Sequence, residues 1–231
     1  MSPIHNICNQ TNSQMERYVM EKSKYIDHTL LAATATEKEI DTLVNQAIEH
    51  NFASVCINPT WVAHAAELLK ESDVKVCTVV GFPLGANTSE VKAFEAKTAV
   101  KDGADEVDMV INMGAALDGD WHFVENDVRE VVEAVSESTI VKVILENCYL
   151  DNEQIKHACL AAKEAGADFV KTSTGFGASG AKAEDVRLMR ETVGQEMGVK
   201  AAGGIRTPEQ FQDMVDAGAT RIGTSNGAKL L

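Results

Sequence analysis

Short apolar segments alternate with amphipathic ones along almost the whole chain. The clearest apolar run is Val74–Phe82, which Pro83 and Gly85 break. Such a run suits a strand buried on both faces. Similar runs fall at Lys24–His28, Phe52–Ile57, Asp105–Ile111, Thr139–Leu145, Asp168–Thr172, Val199–Ala202 and Thr220–Gly223. Between them lie stretches with helical spacing: Thr36–His50, Thr60–Ser72, a segment capped by Asn87 or Ser89 and running to Lys101, Trp121–Ser136, Asn152–Ala165, Ala183–Met197 and Pro208–Ala217. Thr36 with Glu39 three residues on reads as a capping box. Pro59 marks the end of the second strand, and Pro208 opens the last helix.

This is eight β-like segments joined by seven helices. Alternation of this kind implies parallel βαβ units. Eight of them predict a (β/α)8 barrel, the TIM-barrel architecture, in one domain over 1–231. The boundary Gly-Ala-Asp recurs at Gly103 and Gly166, with Gly218-Ala219-Thr220 similar, and each glycine suits a helix C-cap. Met15, Tyr18 and Val19 predict a short N-terminal helix over one end of the barrel. The chain stops a few residues past the last strand, so the eighth helix is expected to be truncated or missing.

The net charge is −14, from 21 Lys+Arg against 35 Asp+Glu. That excludes nucleic acid and an anionic membrane surface as expected partners. A phosphate would have to be held locally. Five cysteines without a Cys-x-x-Cys pair exclude a disulfide framework or zinc ribbon. The polar N-terminus lacks a secretory apolar core, so the cytoplasm is the expected compartment.

Lysines are almost never fully buried without a partner. Lys171 nonetheless ends the apolar run Asp168-Phe169-Val170-Lys171, and Lys200 lies on the next strand. Adjacent strands lie ~4.8 Å apart, so two inward lysines would be close neighbours. Their repulsion is expected to lower the pKa of at least one, and a neutral amine attacks carbonyls. The bland alternative is a pair of surface lysines. Asp108 lies inside an apolar strand and needs a cationic partner. Glu106 shares its parity and is a rival. Asp27, Cys56 and Glu146 end strands 1, 2 and 5, as supporting residues or as a turn cap, a small hydrophobe and a structural ion pair. The six histidines show no metal-ligand spacing, so no metal is expected.

Glycine-rich turns follow the last two strands: Gly203-Gly204-Ile205-Arg206 and Gly223-Thr224-Ser225-Asn226. Barrels often bind phosphate there, because glycines let backbone N–H groups approach the anion.

The segments Ile26–Leu31, Ser54–Ile57, Val80–Gly85, Glu106–Ile111, Phe169–Phe176, Lys200–Arg206 and Arg221–Ser225 together resemble the deoxyribose-phosphate aldolases, class I aldolases with the (β/α)8 fold. The match runs from the first strand to the last. The resemblance implies reversible cleavage of 2-deoxy-D-ribose 5-phosphate to acetaldehyde and D-glyceraldehyde 3-phosphate, without a cofactor. It makes Lys171 the Schiff-base lysine, Lys200 its proton-handling neighbour and Asp108 the acid/base residue. Thr174, Gly175, Gly203, Gly204, Arg206, Gly223, Ser225 and Asn226 would bind substrate and phosphate. Partners would be a small sugar phosphate and aldehydes, with a homodimer left open. Three departures stand out. Asn147 replaces the usual threonine, and Asn226 replaces a common serine. The family's C-terminal helix and tail, whose tyrosine can assist proton transfer, are missing. Competing expectations are a lysine-dependent aldolase or transaldolase with another donor, and a non-catalytic sugar-phosphate-binding barrel.

Overall fold

A computed structural model describes residues 22–231. Eight parallel strands close into a barrel in chain order. They are β1 (Ile26–Leu30), β2 (Ser54–Ile57), β3 (Lys75–Val80), β4 (Glu106–Val110), β5 (Ile140–Ile144), β6 (Phe169–Lys171), β7 (Gly198–Ala202) and β8 (Arg221–Thr224). The helices between them are α1 (Glu37–Glu49), α2 (Val62–Leu69), α3 (Ser89–Lys101), α4 (Met113–Asp118), α5 (Trp121–Ala134), α6 (Asn152–Glu164), α7 (Ala183–Val193) and α8 (Pro208–Asp216). After β8 comes only a short 3-10 turn, Gly227–Lys229. The N-terminal helix expected around Met15, Tyr18 and Val19 lies outside the described residues.

The predicted elements recur with ends shifted by a few residues. Thr36 caps α1 in a capping box with Glu39. Gly103, Gly166 and Gly218 all have positive φ, the backbone that glycine adopts without a Cβ penalty. Two expectations change. The N-cap of α3 is Thr88, neither Asn87 nor Ser89. Between β4 and β5 lie two helices, not one. The extra one, α4, is a six-residue segment that carries too little periodicity to read in advance. It is closed by the Asn112 side chain, which accepts from Ala115 N at 3.0 Å, and by left-handed Gly119.

The main apolar core lies between sheet and helices, with Ile40, Val107, Val128, Ala162 and Phe211 buried in it. The strand faces that point away from the helices differ. They carry Asp27, Glu106, Asp108, Lys142, Lys171 and Lys200, all at most 2% exposed. The barrel interior therefore holds a layer of buried charges. Lys92 of α3 is a separate buried ion. It donates to Asp127 of α5 at 2.5 Å and to Val110 O at 2.9 Å, tying two helices to β4.

Candidate active site

Register brings the inward charged residues together. Lys171 lies opposite Lys200, and Asp108 opposite Lys142. The Asp108 carboxylate is the centre. Its Oδ2 accepts from Lys171 Nζ and from Lys200 Nζ, each at 2.8 Å. Its Oδ1 accepts from Lys142 Nζ at 2.8 Å and from Cys77 Sγ at 3.2 Å. Lys142 also pairs with Glu106 at 2.6 Å. Lys200 also contacts Asp27. Arg221 closes the far side, 2.6 Å from Asp27 and 3.1 Å from Glu106. Its guanidinium lies 5.5 Å from the Phe169 ring centre. That ring occupies space that a Cβ on Gly198 would fill.

The electrostatics bear on the expectation for Lys200. Burial alone would raise the Asp108 pKa, but Lys142, Lys171 and Lys200 outweigh it and hold the carboxyl well below its usual range. Burial alone would lower Lys200, but Asp108 and Asp27 outweigh that and hold it above an ordinary lysine. Repulsion between the two lysines therefore does not lower Lys200, because a shared carboxylate stands between them.

Lys171 connects this buried cluster to solvent. Its side chain is one wall of a cleft of about 430 Å³ at the carboxyl end of the barrel. Lys200 and Asp108 lie beneath the floor. Thr174, Gly175, Gly203, Gly204, Arg206, Gly223 and Ser225 line the same cleft. Gly203 and Gly204 have φ of +88° and +82°, a backbone that side chains rarely adopt. Gly223 has a further role. A Cβ there would sit 3.2 Å from Lys200 Cε, so glycine leaves room for the lysine stem. Asn226 does not line the cleft. Its N–H donates to Thr224 Oγ1 at 3.1 Å as the chain enters the final 3-10 turn.

Glu146 and Cys56 also find definite places. Glu146 is buried with φ +51°, and its carboxylate accepts from the Thr174 hydroxyl and, at 3.3 Å, from Thr174 N. It thus pins the loop that follows β6. Cys56 is buried beside Cys77, in a small apolar cluster with Leu31 and Val79. Cys56, Cys77 and Asp108 have donor atoms within 4.8 Å of one another. Both Asp108 oxygens already accept from ammonium groups, which disfavours a further cation there.

Lys142 and Arg221 were not singled out in advance. Lys142 carried the same signal as Lys171, a lysine inside an apolar strand. Arg221 sits at the start of its strand, where a solvated arginine is the ordinary reading.

Fold and site together define a barrel enzyme suited to amine chemistry on carbonyl compounds. The chain belongs to the DeoC/LacD family of aldolases, whose family model matches residues 23–231. It is 61% identical over 213 residues to a deoxyribose-phosphate aldolase of Exiguobacterium, covering 92% of this chain and 96% of that one. A deoxyribose-phosphate aldolase of Streptococcus mutans matches equally, at 61% identity and the same coverage. Among solved structures, the tetrameric deoxyribose phosphate aldolase of Aeropyrum pernix superposes with a TM-score of 0.85 at 36% identity, covering 91% of this chain and 90% of that one.

Proposed function

We propose that this chain is a class I aldolase that reversibly cleaves 2-deoxy-D-ribose 5-phosphate to acetaldehyde and D-glyceraldehyde 3-phosphate, with Lys171 forming the Schiff base. One observation carries the assignment of Lys171. It reaches the cleft while its Nζ lies 2.8 Å from the buried Asp108 carboxylate.

In the synthetic direction the neutral Lys171 amine adds to the acetaldehyde carbonyl, forming an N–C bond. The carbinolamine oxygen takes a proton and leaves as water, giving an iminium. Loss of a methyl proton gives the enamine, with the iminium nitrogen as electron sink. The enamine carbon then attacks the aldehyde carbon of glyceraldehyde 3-phosphate, whose oxygen takes up a proton. Hydrolysis of the new iminium releases the sugar phosphate and regenerates the amine. Asp108 and Lys200 handle these protons, since Asp108 Oδ2 accepts from both lysines. The phosphate sits on the Gly203-Gly204 and Gly223–Ser225 turns. No cofactor enters the scheme.

Among the described residues no helix is long and apolar enough to cross a membrane. We place the enzyme in the cytoplasm, acting on small soluble substrates. A homodimer is the assembly we favour. Sedimentation would test it.

The test of the reaction is reductive trapping. Acetaldehyde with borohydride should add an ethyl group to Lys171, located by peptide mass spectrometry. Preferential labelling by dihydroxyacetone would instead assign another donor class. A label on Lys200 would invert the roles of the two lysines.

A further inference from the structure

The buried charges form a closed ring. Asp27 contacts Lys200, and Lys200 reaches Asp108 at 2.8 Å. Asp108 meets Lys142 at 2.8 Å, and Lys142 meets Glu106 at 2.6 Å. Glu106 meets Arg221 at 3.1 Å, and Arg221 returns to Asp27 at 2.6 Å. Three carboxylates alternate with three cations, so the ring is neutral. Lys171 hangs from Asp108 outside it. When protonated, Lys171 is one cation in excess over the buried ring.

We propose that Arg221 and Glu106, at the far side of the ring from the cleft, are positioning residues that set the pH at which Lys171 becomes a neutral nucleophile. The inference rests on Lys171 as the Schiff-base residue. Five of the six ring members are held in their charged forms. Burial opposes this, but the opposite charges outweigh it, keeping Lys142, Lys200 and Arg221 above their ordinary values and Asp27 and Asp108 below theirs. The groups that face Lys171 are Asp108 of β4, Lys142 of β5, Lys200 of β7, the thiols Cys56 of β2 and Cys77 of β3, and, across the ring, Asp27 of β1. Arg206 stands on the cleft side. Changing the Arg221–Glu106 pair takes a partner from Asp27 and from Lys142 and leaves the direct contacts of the others in place.

The sign follows from charge. Arg221→Gln removes a cation, which eases protonation of Lys171 and moves its titration up. Glu106→Gln removes an anion and moves it down. Arg221 lies two strands from Lys171, about 10 Å away, and one charge at that distance with an effective dielectric near 20 moves a titration by about one pH unit.

The experiment follows the pH dependence of acetaldehyde trapping by cyanoborohydride, with the labelled residue identified, alongside kcat/KM. The rising limb should move up by about one pH unit in Arg221→Gln and down by about as much in Glu106→Gln. The double variant should return to the wild-type position. A merely structural role would shift both limbs the same way or neither. Either result, with the label still on Lys171, overturns this inference alone. A label elsewhere overturns the Lys171 assignment and this inference with it. Where one single variant does not fold, the other decides alone: a limb moved in its stated direction supports the proposal, and an unmoved limb overturns it.

Discussion

Lys171 and Lys200 are register partners on β6 and β7, and both donate to the same oxygen, Asp108 Oδ2, at 2.8 Å. Their positions differ in one respect that separates their roles. Lys171 reaches the cleft, whereas Lys200 is fully buried beneath it.

Lys171→Met should reduce turnover by at least about a thousandfold and abolish borohydride labelling, because no other cleft amine replaces the nucleophile. It should not lower stability, since it removes a cation from a cluster that holds one too many. Urea midpoints of variant and parent would check this. A large loss of stability would show that Lys171 is needed by the fold.

Asp108→Asn should be among the most destabilising single changes in the barrel. It leaves the Lys142, Lys171 and Lys200 side chains sharing a buried site without their central anion. Breaking a buried ion pair from one side costs about 3–5 kcal/mol. Chemical denaturation at neutral pH measures the loss.

Acid should unfold the protein through the same groups. Asp27 and Asp108 have folded pKa values held below the unfolded value of about 4. The unfolded chain therefore binds more protons in this range, so stability rises with pH there. The contribution is complete above about pH 4 and is lost as pH falls below it. Urea midpoints between about pH 2 and pH 6 should show this slope, and Asp27→Asn should flatten it.

Ser225→Glu should weaken use of 2-deoxyribose 5-phosphate far more than use of unphosphorylated 2-deoxyribose. Ser225 lines the cleft, and hydrogen bonds to charged groups contribute about 1.5–3 kcal/mol each. With a net charge of −14 the chain offers no general attraction for a dianion. The readout is the ratio of kcat/KM for the two sugars. An unchanged ratio would place the phosphate elsewhere.

Chelation by EDTA should leave activity intact, because the iminium supplies the electron sink that a metal would otherwise provide. Assays with and without chelator decide this. Loss of activity would turn attention to Cys56, Cys77 and Asp108 as metal ligands.

Much of this was legible in the chain. Eight apolar runs punctuated by glycine and proline determined the strands, since a strand buried on both faces has no other way to be written. A lysine or aspartate inside such a run is costly unless paired, which pointed to Lys171, Lys200 and Asp108 from their positions in the chain. Gly203-Gly204 and Gly223 pointed to close backbone approach. Only the closed barrel decided the rest. Whether Lys142, Glu106 and Arg221 face inward depends on pleat parity and on which strands become neighbours. Nothing in the chain places Asp27 of β1 beside Arg221, 194 residues away. That contact exists because β8 pairs with β1 and closes the barrel. The charge balance around Lys171 is a property of that closure, because Coulomb energies depend on distances in space and not on separation along the chain.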